Sequence, residues 1–482
     1  MSSLQTNKMT NYRWVICSML FFATTVNYLD RQVLSLTWDE FIKPEFHWDE
    51  SHYGTITSVF SIVYAVCMLF AGRFIDWMGT KKGYIWSIGV WSLGACLHAV
   101  CGIYTEHHVG LHTAAELMQA TGDVAVTIAT VSMYAFLFAR CVLALGEAGN
   151  FPAAIKVTAE YFPKRDRAYA TSIFNAGASI GALIAPISIP LLAKHFGWEM
   201  AFIVIGALGF IWAGLWIFMY SAPAKNKNVN QAELLYIEQD KEDLTKVTKD
   251  AEDEENEPKL SFGQCFKYKQ TWAFAFGKFM TDGVWWFFLF WTPSYLNTQF
   301  GIKATDPQGM LLIFMLYLIT MLSIYGGKLP TIIINKTGKN PYAARMQAML
   351  IFAFFPLVVL TAQPLGQISP WFPIIMIGIG GAAHQSWSAN IFSTVSDMFP
   401  KTAIATITGI GGMAGGVGSM ILQKAAGNLF VYAGDTNMQF MGFEGKPAGY
   451  FIIFCVCAVA YLIGWIVMKA LVPKYKPIII EK

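Results

Sequence analysis

The fold is decided by residues 134–163, which read YAFLFARCVLALGEAGNFPAAIKVTAEYFP. The uncharged apolar run VAVTIATVSM precedes them, so the two stretches together predict one long hydrophobic helix. Arg140 and Glu147 lie inside this helix and, being about two turns apart, point to the same side. A charge at the centre of a bilayer costs roughly 2.5–3.5 kcal/mol, so this face indicates a wet cavity or charged partners. A buried structural ion pair is the alternative interpretation.

The composition of the chain is that of a polytopic membrane protein. Of its 482 residues, 55% are hydrophobic and 13% are charged, whereas a soluble protein carries about a quarter charged residues. Many apolar runs exceed the roughly eighteen residues of a transmembrane-helix candidate. Most of the eight cysteines fall in or beside these runs and show no metal-ligand spacing. They are therefore interpreted as small apolar side chains.

We predict an all-α fold of twelve transmembrane helices. Lys and Arg are concentrated at the ends of the spans on one side of the membrane, and none occurs from residue 83 to residue 139. The positive-inside rule therefore predicts a multi-pass protein of the plasma (inner) membrane with both termini in the cytoplasm. The predicted spans are 14–36, 53–75, 84–104, 126–152, 168–193, 200–221, 271–296, 308–334, 345–363, 370–398, 403–428 and 448–472.

A long polar segment divides the spans six and six. It covers residues 222–270, contains the acidic run EDEENEP, and predicts a solvated cytoplasmic linker with a short helix near AELLYIEQDKEDL. The predicted domains are thus an N-terminal six-helix bundle (1–221), this linker, and a C-terminal six-helix bundle (271–482). Residues 105–125 predict a long external loop, whose three histidines are interpreted as solvated and not as metal ligands.

A charged loop follows the second span and reads GRFIDWMGTKK. Glycine here lets helices approach closely, the aspartate can cap a helix or pair with a cation, and the lysines anchor the loop at the cytoplasmic face. The corresponding loop of the second half, 326–345, keeps glycines and basic residues but lacks the aspartate. The spacing resembles the gating-loop signature of the major facilitator superfamily, carried here by Gly72, Asp76, Gly79, Lys81 and Lys82.

The first span carries polar side chains within ATTVNYLDRQVLS, residues 23–35. Thr24, Asn27 and Arg31 share one face of the predicted helix, and Asp30 lies beside Arg31. The alternative is that Asp30 and Arg31 lie at the membrane edge and extend their polar ends into water. The apolar residues on both sides of them favour a functional role.

Five segments resemble the anion:cation symporter family of the major facilitator superfamily. They read NYLDR, ARCVLALGEAGNFPA, AEYFPKRDRA, WAFAFGKFMTDGVWWFFLFWTPSYL and GAAHQSWSANIFSTVSDMFPK. The last two are similar to the bacterial hexuronate transporters of this family. The resemblance implies two six-helix bundles around a central cavity and transport by alternating access. It also implies that Arg31 binds a sugar-acid carboxylate and that Asp30 and Glu147 carry a coupling proton. The chemistry agrees, because arginine offers a planar fork to a carboxylate, and a buried carboxylate can be neutral in one state and charged in another.

The hydroxyl groups of a sugar need hydrogen-bonding side chains and a flat apolar face. In the tenth span, His384, Trp387 and Asn390 follow one another at steps of three and predict one such face. Core packing is the alternative for the tryptophans, and helix–helix hydrogen bonds are the alternative for the amides. We assign proton coupling to Asp30 and Glu147, with Arg140 acting on Glu147. We assign substrate binding to Arg31, Asn27, Tyr64, Asn175, Trp286, His384, Gln385, Trp387 and Asn390.

These patterns predict a secondary transporter that couples protons to the uptake of a hexuronate such as galacturonate or glucuronate. The glycine run GIGGMAGGVGS, 409–419, lacks the Lys-Ser/Thr of a phosphate loop, so ATP-driven transport is not predicted. We expect no cofactor besides the proton, no metal, no nucleic acid, and a monomer in the lipid bilayer. An organic-anion exchanger and a sodium-coupled carrier of another sugar acid or carboxylate are the alternatives. A membrane enzyme or receptor is a third class, but neither a nucleophile–base set nor a sensing domain is recognisable.

Overall fold

The computed structural model describes residues 8–239, 262–399 and 401–478. Within them, twelve long helices match the twelve predicted spans, which confirms the predicted fold class. Each predicted end of a span lies either within several residues of an observed helix end or inside an observed helix that is longer than the predicted span. The helices are α1 (Tyr12–Thr37), α2 (Glu50–Met78), α3 (Thr80–Ala99), α4 (Asp123–Glu147), α5 (Lys164–Phe196), α6 (Trp198–Met219), α7 (Lys269–Phe300), α8 (Pro307–Thr320), α9 (Pro341–Phe354), α10 (Trp371–Met398), α11 (Lys401–Asp435) and α12 (Lys446–Leu471).

Several spans continue beyond these helices in irregular turns. Proline explains two of the breaks, because Pro330 and Pro356 begin new helical segments and cannot donate to the preceding turn. The continuing segments are Trp38–Ile42 (π-helical) and Lys43–Phe46 after α1, Asn150–Tyr161 after α4, Met321–Lys328 (3-10) and Leu329–Thr337 after α8, and Phe355–Thr361 (3-10) and Ala362–Gly366 after α9.

Membrane-crossing helices can also be counted by length and hydropathy. Among the described residues, six helices are long and apolar enough to cross a membrane on these two criteria alone. The number is seven if α3 and the helix Cys101–Val109, which bends away from it by 45°, form one span. Several other helices are interrupted, as α8 is, or carry buried charges, as α1 and α7 do.

Two polar segments are more ordered than the sequence predicted. The loop predicted at 105–125 contains the end of the helix Cys101–Val109 and a second helix, Ala114–Gln119, which buries Leu117. In the linker, the predicted short helix is present at Gln231–Ile237. It is not simply solvated, because the fully buried Glu233 accepts a hydrogen bond from Arg13 Nη1 at 3.1 Å.

The remaining short elements lie between the long helices. The acidic run EDEENEP lies outside the described residues. Strands β1 (Gln439–Phe440) and β2 (Phe443–Glu444) pair antiparallel, with Gln439 opposite Glu444. Met441 and Gly442 both have positive φ, as the tight two-residue turn between such strands requires. A 3-10 turn at Pro223–Lys225 and a helix at Phe262–Cys265 flank the central linker.

We call the end of the molecule opposite the chain termini the far end, and there α1–α6 are bound to α7–α12. The backbones of α2 and α11 touch, since a Cβ added to Gly54 would lie 2.8 Å from the carbonyl oxygen of Gln423. Glu50 is buried between Lys43 Nζ at 2.7 Å and Lys446 Nζ at 2.6 Å. Further polar contacts between the two halves at this end are Asn297–Asp39, Thr305–Glu40, Lys424–Thr55 and Tyr53–Phe290.

Also at the far end, Glu45 is a carboxyl group with an unusual environment. Burial raises the pKa of Glu45 to about 7, with Glu199 and Glu106 adding to the effect, although Trp198 Nε1 donates a hydrogen bond to it at 2.8 Å and opposes the shift. In the unfolded chain the group ionises at about 4.3. Between these two pH values the folded protein holds a proton that the unfolded chain has lost, so stability falls as the pH rises.

Glu45→Gln should therefore flatten the pH dependence of stability. Glutamine keeps an acceptor for Trp198 but has no charge to bury. We expect the Tm of the wild type, in detergent, to fall by a few degrees relative to the variant as the pH is raised from 5 to 8. Glu444→Gln, at an exposed position of β2, is the control. Parallel Tm curves for wild type and Glu45→Gln would contradict the buried, titrating role of Glu45.

Candidate substrate-binding site

The centre of the site is an ion pair between α1 and the end of α4. Arg31 Nε donates to Glu147 Oε2 at 2.8 Å, and both side chains are buried. Removing one partner of such a buried pair typically costs about 3–5 kcal/mol, because an uncompensated charge remains. From the sequence, Arg140 was assigned to act indirectly on Glu147. In the structure the hydrogen-bonded partner of Glu147 is Arg31, and Arg140 lies close enough to interact with Glu147 through its charge.

Arg140 supports the pair through the backbone. Its Nη2 donates to the carbonyl oxygen of Arg31 at 3.0 Å, and its guanidinium carbon lies 4.7 Å from the ring centroid of Phe60. Arg140 is therefore on the same buried side of α4 as Glu147, as predicted. Its contact fixes the segment of α1 that carries Arg31.

Three aromatic rings surround the Arg31 guanidinium. Its central carbon lies 4.6 Å from the ring centroid of Tyr64, 5.2 Å from that of Tyr28 and 5.2 Å from that of Trp286. Cation–π attraction holds an arginine in such a position and is stronger away from water. Because Trp286 belongs to α7, the predicted anchor of the first half touches the second half directly.

Several buried polar atoms of α1 and of the end of α4 have no hydrogen-bond partner within the described part of the chain. An unmet hydrogen bond of a buried group costs roughly 1–3 kcal/mol, so these atoms are candidates for contact with a ligand or a proton. Among the described residues, the buried atoms without a hydrogen-bond partner include both amide atoms of Asn27 and Gln32, both oxygens of Asp30, Arg31 Nη2 and Glu147 Oε1. Of these residues, Gln32 was not assigned from the sequence.

A cavity of about 500 Å³ lies between the two halves of the molecule. Its size falls within the range of roughly 300–1,000 Å³ that is usual for small-molecule sites. Tyr28 connects it to the ion pair, because this residue lines the cavity and stacks near Arg31. The lining also includes Phe151, Asn175, Ser179, Trp285, Tyr317, Thr320, Ser323, Gln385, Ser388 and Phe392.

The predicted binding residues divide into two groups. Asn175 and Gln385 line the cavity, and Tyr64 and Trp286 contact Arg31. The face of α10 that was predicted to bind substrate instead packs inside the second half. There His384 Nδ1 lies 2.8 Å from the Tyr461 hydroxyl, the Trp387 ring meets Tyr461 edge-on, and Asn390 Nδ2 donates to the carbonyl oxygen of Ser386.

The assignment of Trp387 and Asn390 to direct substrate binding is therefore not supported by their positions. The cavity face of α10 is formed by Gln385, Ser388 and Phe392, which follow at steps of three and four. His384 is one residue removed from the cavity, since its ring stacks on Trp285 with 5.7 Å between centroids. Sequence reasoning missed Tyr28, although its position three residues before Arg31 placed it on the same face of α1.

The predicted gating loop is a tight turn between α2 and α3. Gly79 has φ +82°, which explains the glycine there. A Cβ added to Gly72 would meet no described atom within 4 Å, so the described residues show no close helix approach at Gly72 in this conformation. Lys81 is half-buried and Lys82 exposed, while Asp76 lies within α2 and its side chain is outside the description.

Comparison with known proteins agrees with this architecture. The family model of the Major Facilitator Superfamily matches residues 20–422. The chain belongs to this superfamily. It is 28% identical to the hexuronate transporter of Escherichia coli K12 over 465 residues, which cover 96% of this chain and 94% of that protein. It is 25% identical to the galacturonate transporter of Dickeya chrysanthemi over 299 residues, which cover 62% of this chain and 76% of that protein.

Solved structures share the fold at lower sequence identity. A bacterial homologue of the human lysosomal transporter Spinster has a TM-score of 0.66 at 15% identity and covers 95% of this chain and 97% of its own. The D-xylose–proton symporter has a TM-score of 0.65 at 15% identity and covers 97% and 98%. The protein is accordingly an integral membrane transporter of the major facilitator fold and not an enzyme.

Proposed function

We propose that this protein is a proton-coupled symporter that carries a hexuronate, such as galacturonate or glucuronate, into the cell. The observation that carries the proposal is the buried Arg31–Glu147 pair beside a cavity, with the buried polar side chains of Asp30 and Asn27 on the same helix as Arg31. The names of the two relatives, a hexuronate and a galacturonate transporter, support a sugar acid as the substrate class.

The carboxylate of the substrate competes with Glu147 for Arg31. The guanidinium is a fork that can hold a carboxylate with two hydrogen bonds, and its Nη2 is unpaired within the described residues. When the substrate takes Arg31, Glu147 loses its cation inside an apolar environment. A buried carboxylate without a partner is costly when charged, so Glu147 then takes up a proton. In this way substrate and proton bind together.

Asp30 is the second candidate for the coupling proton. It is fully buried, and its charged neighbours include Arg140 and Glu147. Neither of its oxygens accepts a hydrogen bond of normal geometry within the described part of the chain, although the indole of Trp91 lies close by. Asp30 and Glu147 both lie close to two arginines. One proton can therefore move between these two carboxyl groups as the substrate arrives and leaves.

The hydroxyl groups of the sugar have partners in the cavity. Asn175 and Gln385 carry amides that can donate and accept, and Ser388 and Thr320 add hydroxyl groups. The ring of Trp285 gives the flat face on which a sugar ring packs. These groups come from both halves of the molecule, so the substrate lies between the two halves.

Alternating access requires that the contacts at the far end open. In the present conformation Glu50 is held by Lys43 and Lys446, and α2 lies backbone to backbone on α11 at Gly54. We propose that the far end faces outside, that this conformation is closed to the outside, and that these contacts separate when substrate enters. The protein then lies in the inner membrane with both termini in the cytoplasm.

Uptake by the purified protein in liposomes tests the coupling. Labelled galacturonate is offered under an imposed pH gradient, an imposed sodium gradient, or neither. We expect accumulation with the pH gradient alone. Accumulation that follows sodium would support the sodium-coupled alternative, and exchange for internal substrate without any gradient dependence would support an anion exchanger.

Arg31→Lys tests the substrate anchor. Lysine keeps the charge for Glu147 but loses the fork, and a hydrogen bond to a charged group is worth about 1.5–3 kcal/mol. We therefore expect galacturonate affinity, measured by calorimetry, to fall about 10–100-fold. Arg140→Lys is the matched control and should lose less, because Arg140 contacts the backbone of α1. Wild-type affinity in a folded Arg31→Lys protein would remove Arg31 from the site.

Glu147→Gln separates binding from coupling. The amide imitates the protonated carboxyl permanently, so the variant should bind galacturonate and exchange it across the membrane. It should not accumulate galacturonate in response to a pH gradient. Both properties are measured on one purified preparation, with Glu444→Gln as the control. Accumulation at the wild-type rate would make Glu147 structural and leave coupling to Asp30 alone or to Asp282 in α7.

Cysteine labelling tests the orientation. In a variant without the eight native cysteines, Thr113→Cys and Gln367→Cys are exposed at the far end, and Lys225→Cys is exposed at the end that carries the termini. We expect an impermeant maleimide to label the first two in intact cells and the third only after lysis. Asn256→Cys, in the linker but outside the described residues, should behave as Lys225→Cys does. The reverse pattern would invert the assignment.

A further inference from the structure

A second ion pair lies in α7, apart from the Arg31–Glu147 pair. Lys278 Nζ lies 2.8 Å from Asp282 Oδ2. We propose that Lys278 and Asp282 form a subsite that binds hydroxyl groups of the transported sugar acid, at the end remote from its carboxylate. The inference rests on the proposed function and extends it to residues that neither the mechanism above nor the sequence assignment uses.

The pair lies directly behind the lining of the cavity. Lys278, Asp282 and Trp285 share one face of α7, because they follow at steps of four and three. Trp285 lines the cavity. The ammonium of Lys278 lies 4.3 Å from the ring centroid of Phe392, a second lining residue that comes from α10. The pair is therefore in contact with the cavity lining on two helices.

Asp282 is less deeply buried than Glu147. Its side chain is 16% exposed, whereas that of Glu147 is completely buried. The oxygen that contacts Lys278, Oδ2, also packs on α11, where a Cβ added to Gly415 would lie 2.1 Å from it. Helix α11 and Lys278 thus fix the position of the carboxylate, and the glycine leaves room for it. A fixed, partly exposed acceptor is suited to receive a hydroxyl group.

The chemistry of the pair favours a hydroxyl over a second carboxylate. A hydroxyl donates to Asp282 and accepts from Lys278 at once, so the two charges stay paired. A second carboxylate on Lys278 would have to displace Asp282 and leave it charged without a partner, which is costly in a low-dielectric environment. The ligand class is therefore a carboxylate with a polyol chain.

The position of the pair relative to Arg31 suits one sugar molecule. Asp282 precedes Trp286 by four residues, a rise of about 6 Å along α7. Trp286 stacks on the Arg31 guanidinium. A six-carbon sugar acid with its carboxylate on Arg31 can therefore extend its far hydroxyl groups toward Asp282. Held in this way, the sugar contacts charged side chains of both halves.

The experiment is a double-mutant cycle in which one change is made in the protein and the other in the ligand. Galacturonate and its monodeoxy analogues at carbons 1, 2 and 3 are titrated by calorimetry into wild type, Asp282→Asn and Lys278→Gln. Asp282→Asn should weaken galacturonate binding about tenfold, as expected for the loss of one charged hydrogen bond. One analogue should bind wild type about tenfold more weakly, yet bind Asp282→Asn as well as galacturonate does. This loss of additivity shows a direct contact.

The controls separate this contact from a purely structural ion pair. Asp397→Asn removes the partner of Arg345 in a pair with 2.6 Å between Nε and Oδ2, outside the cavity lining, and should not change affinity. The Tm of every variant is measured, and Asp282→Glu should recover part of the affinity if Asp282→Asn folds poorly. Wild-type affinity in Asp282→Asn and Lys278→Gln, or strictly additive losses with all three analogues, would overturn the subsite.

Three further outcomes are distinguishable. If Lys278→Gln weakens binding of galactarate, which has two carboxylates, but not of galacturonate, the pair receives a second carboxylate and the hydroxyl assignment is wrong. If wild type binds galacturonate and Arg31→Lys does not, but the α7 variants bind normally, only the subsite fails. If wild type binds no galacturonate at all, the proposed function fails and the subsite with it.

Discussion

The structure depends on a charge in the membrane that has to be neutralised. Arg31 lies in the middle of the first half with Glu147 at 2.8 Å, and neither side chain reaches water. Arg140 secures the backbone of α1 beneath the pair, and the rings of Tyr28, Tyr64 and Trp286 enclose the guanidinium. Such a pair contributes little net stability compared with apolar packing. Its presence is better explained by a ligand that exchanges with one of its members.

Burial also sets the cost of the polar side chains near Arg31. Asn27, Asp30 and Gln32 are buried within six residues of α1, and none of their side-chain polar atoms has a hydrogen-bond partner of normal geometry among the described residues. Buried polar groups without partners are costly, so contacts of these groups with a polar ligand or a proton would contribute to binding.

The sequence predicted the fold better than the contacts of the candidate site. Apolar run lengths located the twelve helices, the cost of charge in a bilayer singled out Arg140 and Glu147, and the family resemblance pointed to Arg31. Spacing within one helix also placed Arg140 and Glu147 on one side. It could not show that Glu147 binds Arg31, nor that the His384–Trp387–Asn390 face packs inside the second half. Periodicity defines which residues share a face, whereas the neighbour of that face depends on tertiary packing. Glu233 is a similar case, since nothing in the acidic linker distinguishes it before Arg13 is brought alongside.

The two ion pairs differ in a way that bears on coupling. Arg31 and Glu147 join two helices of the first half, so releasing Glu147 changes how α1 and α4 are held together. Lys278 and Asp282 lie one turn apart on α7, so their separation does not loosen any helix from its neighbours. Under the proposed function, a sugar that displaces Glu147 from Arg31 weakens the contact between α1 and α4 in the first half. Because the sugar leaves the α7 pair intact, it also links the first half to the second. A ligand shifts a conformational equilibrium only by the difference between its affinities for the two conformations. This asymmetry between the ion pairs therefore lets substrate binding favour one conformational change over its reverse. It acts on the helices of the first half, whose α2 is held at the far end to α11 at Gly54 and to Lys446 of α12 through Glu50.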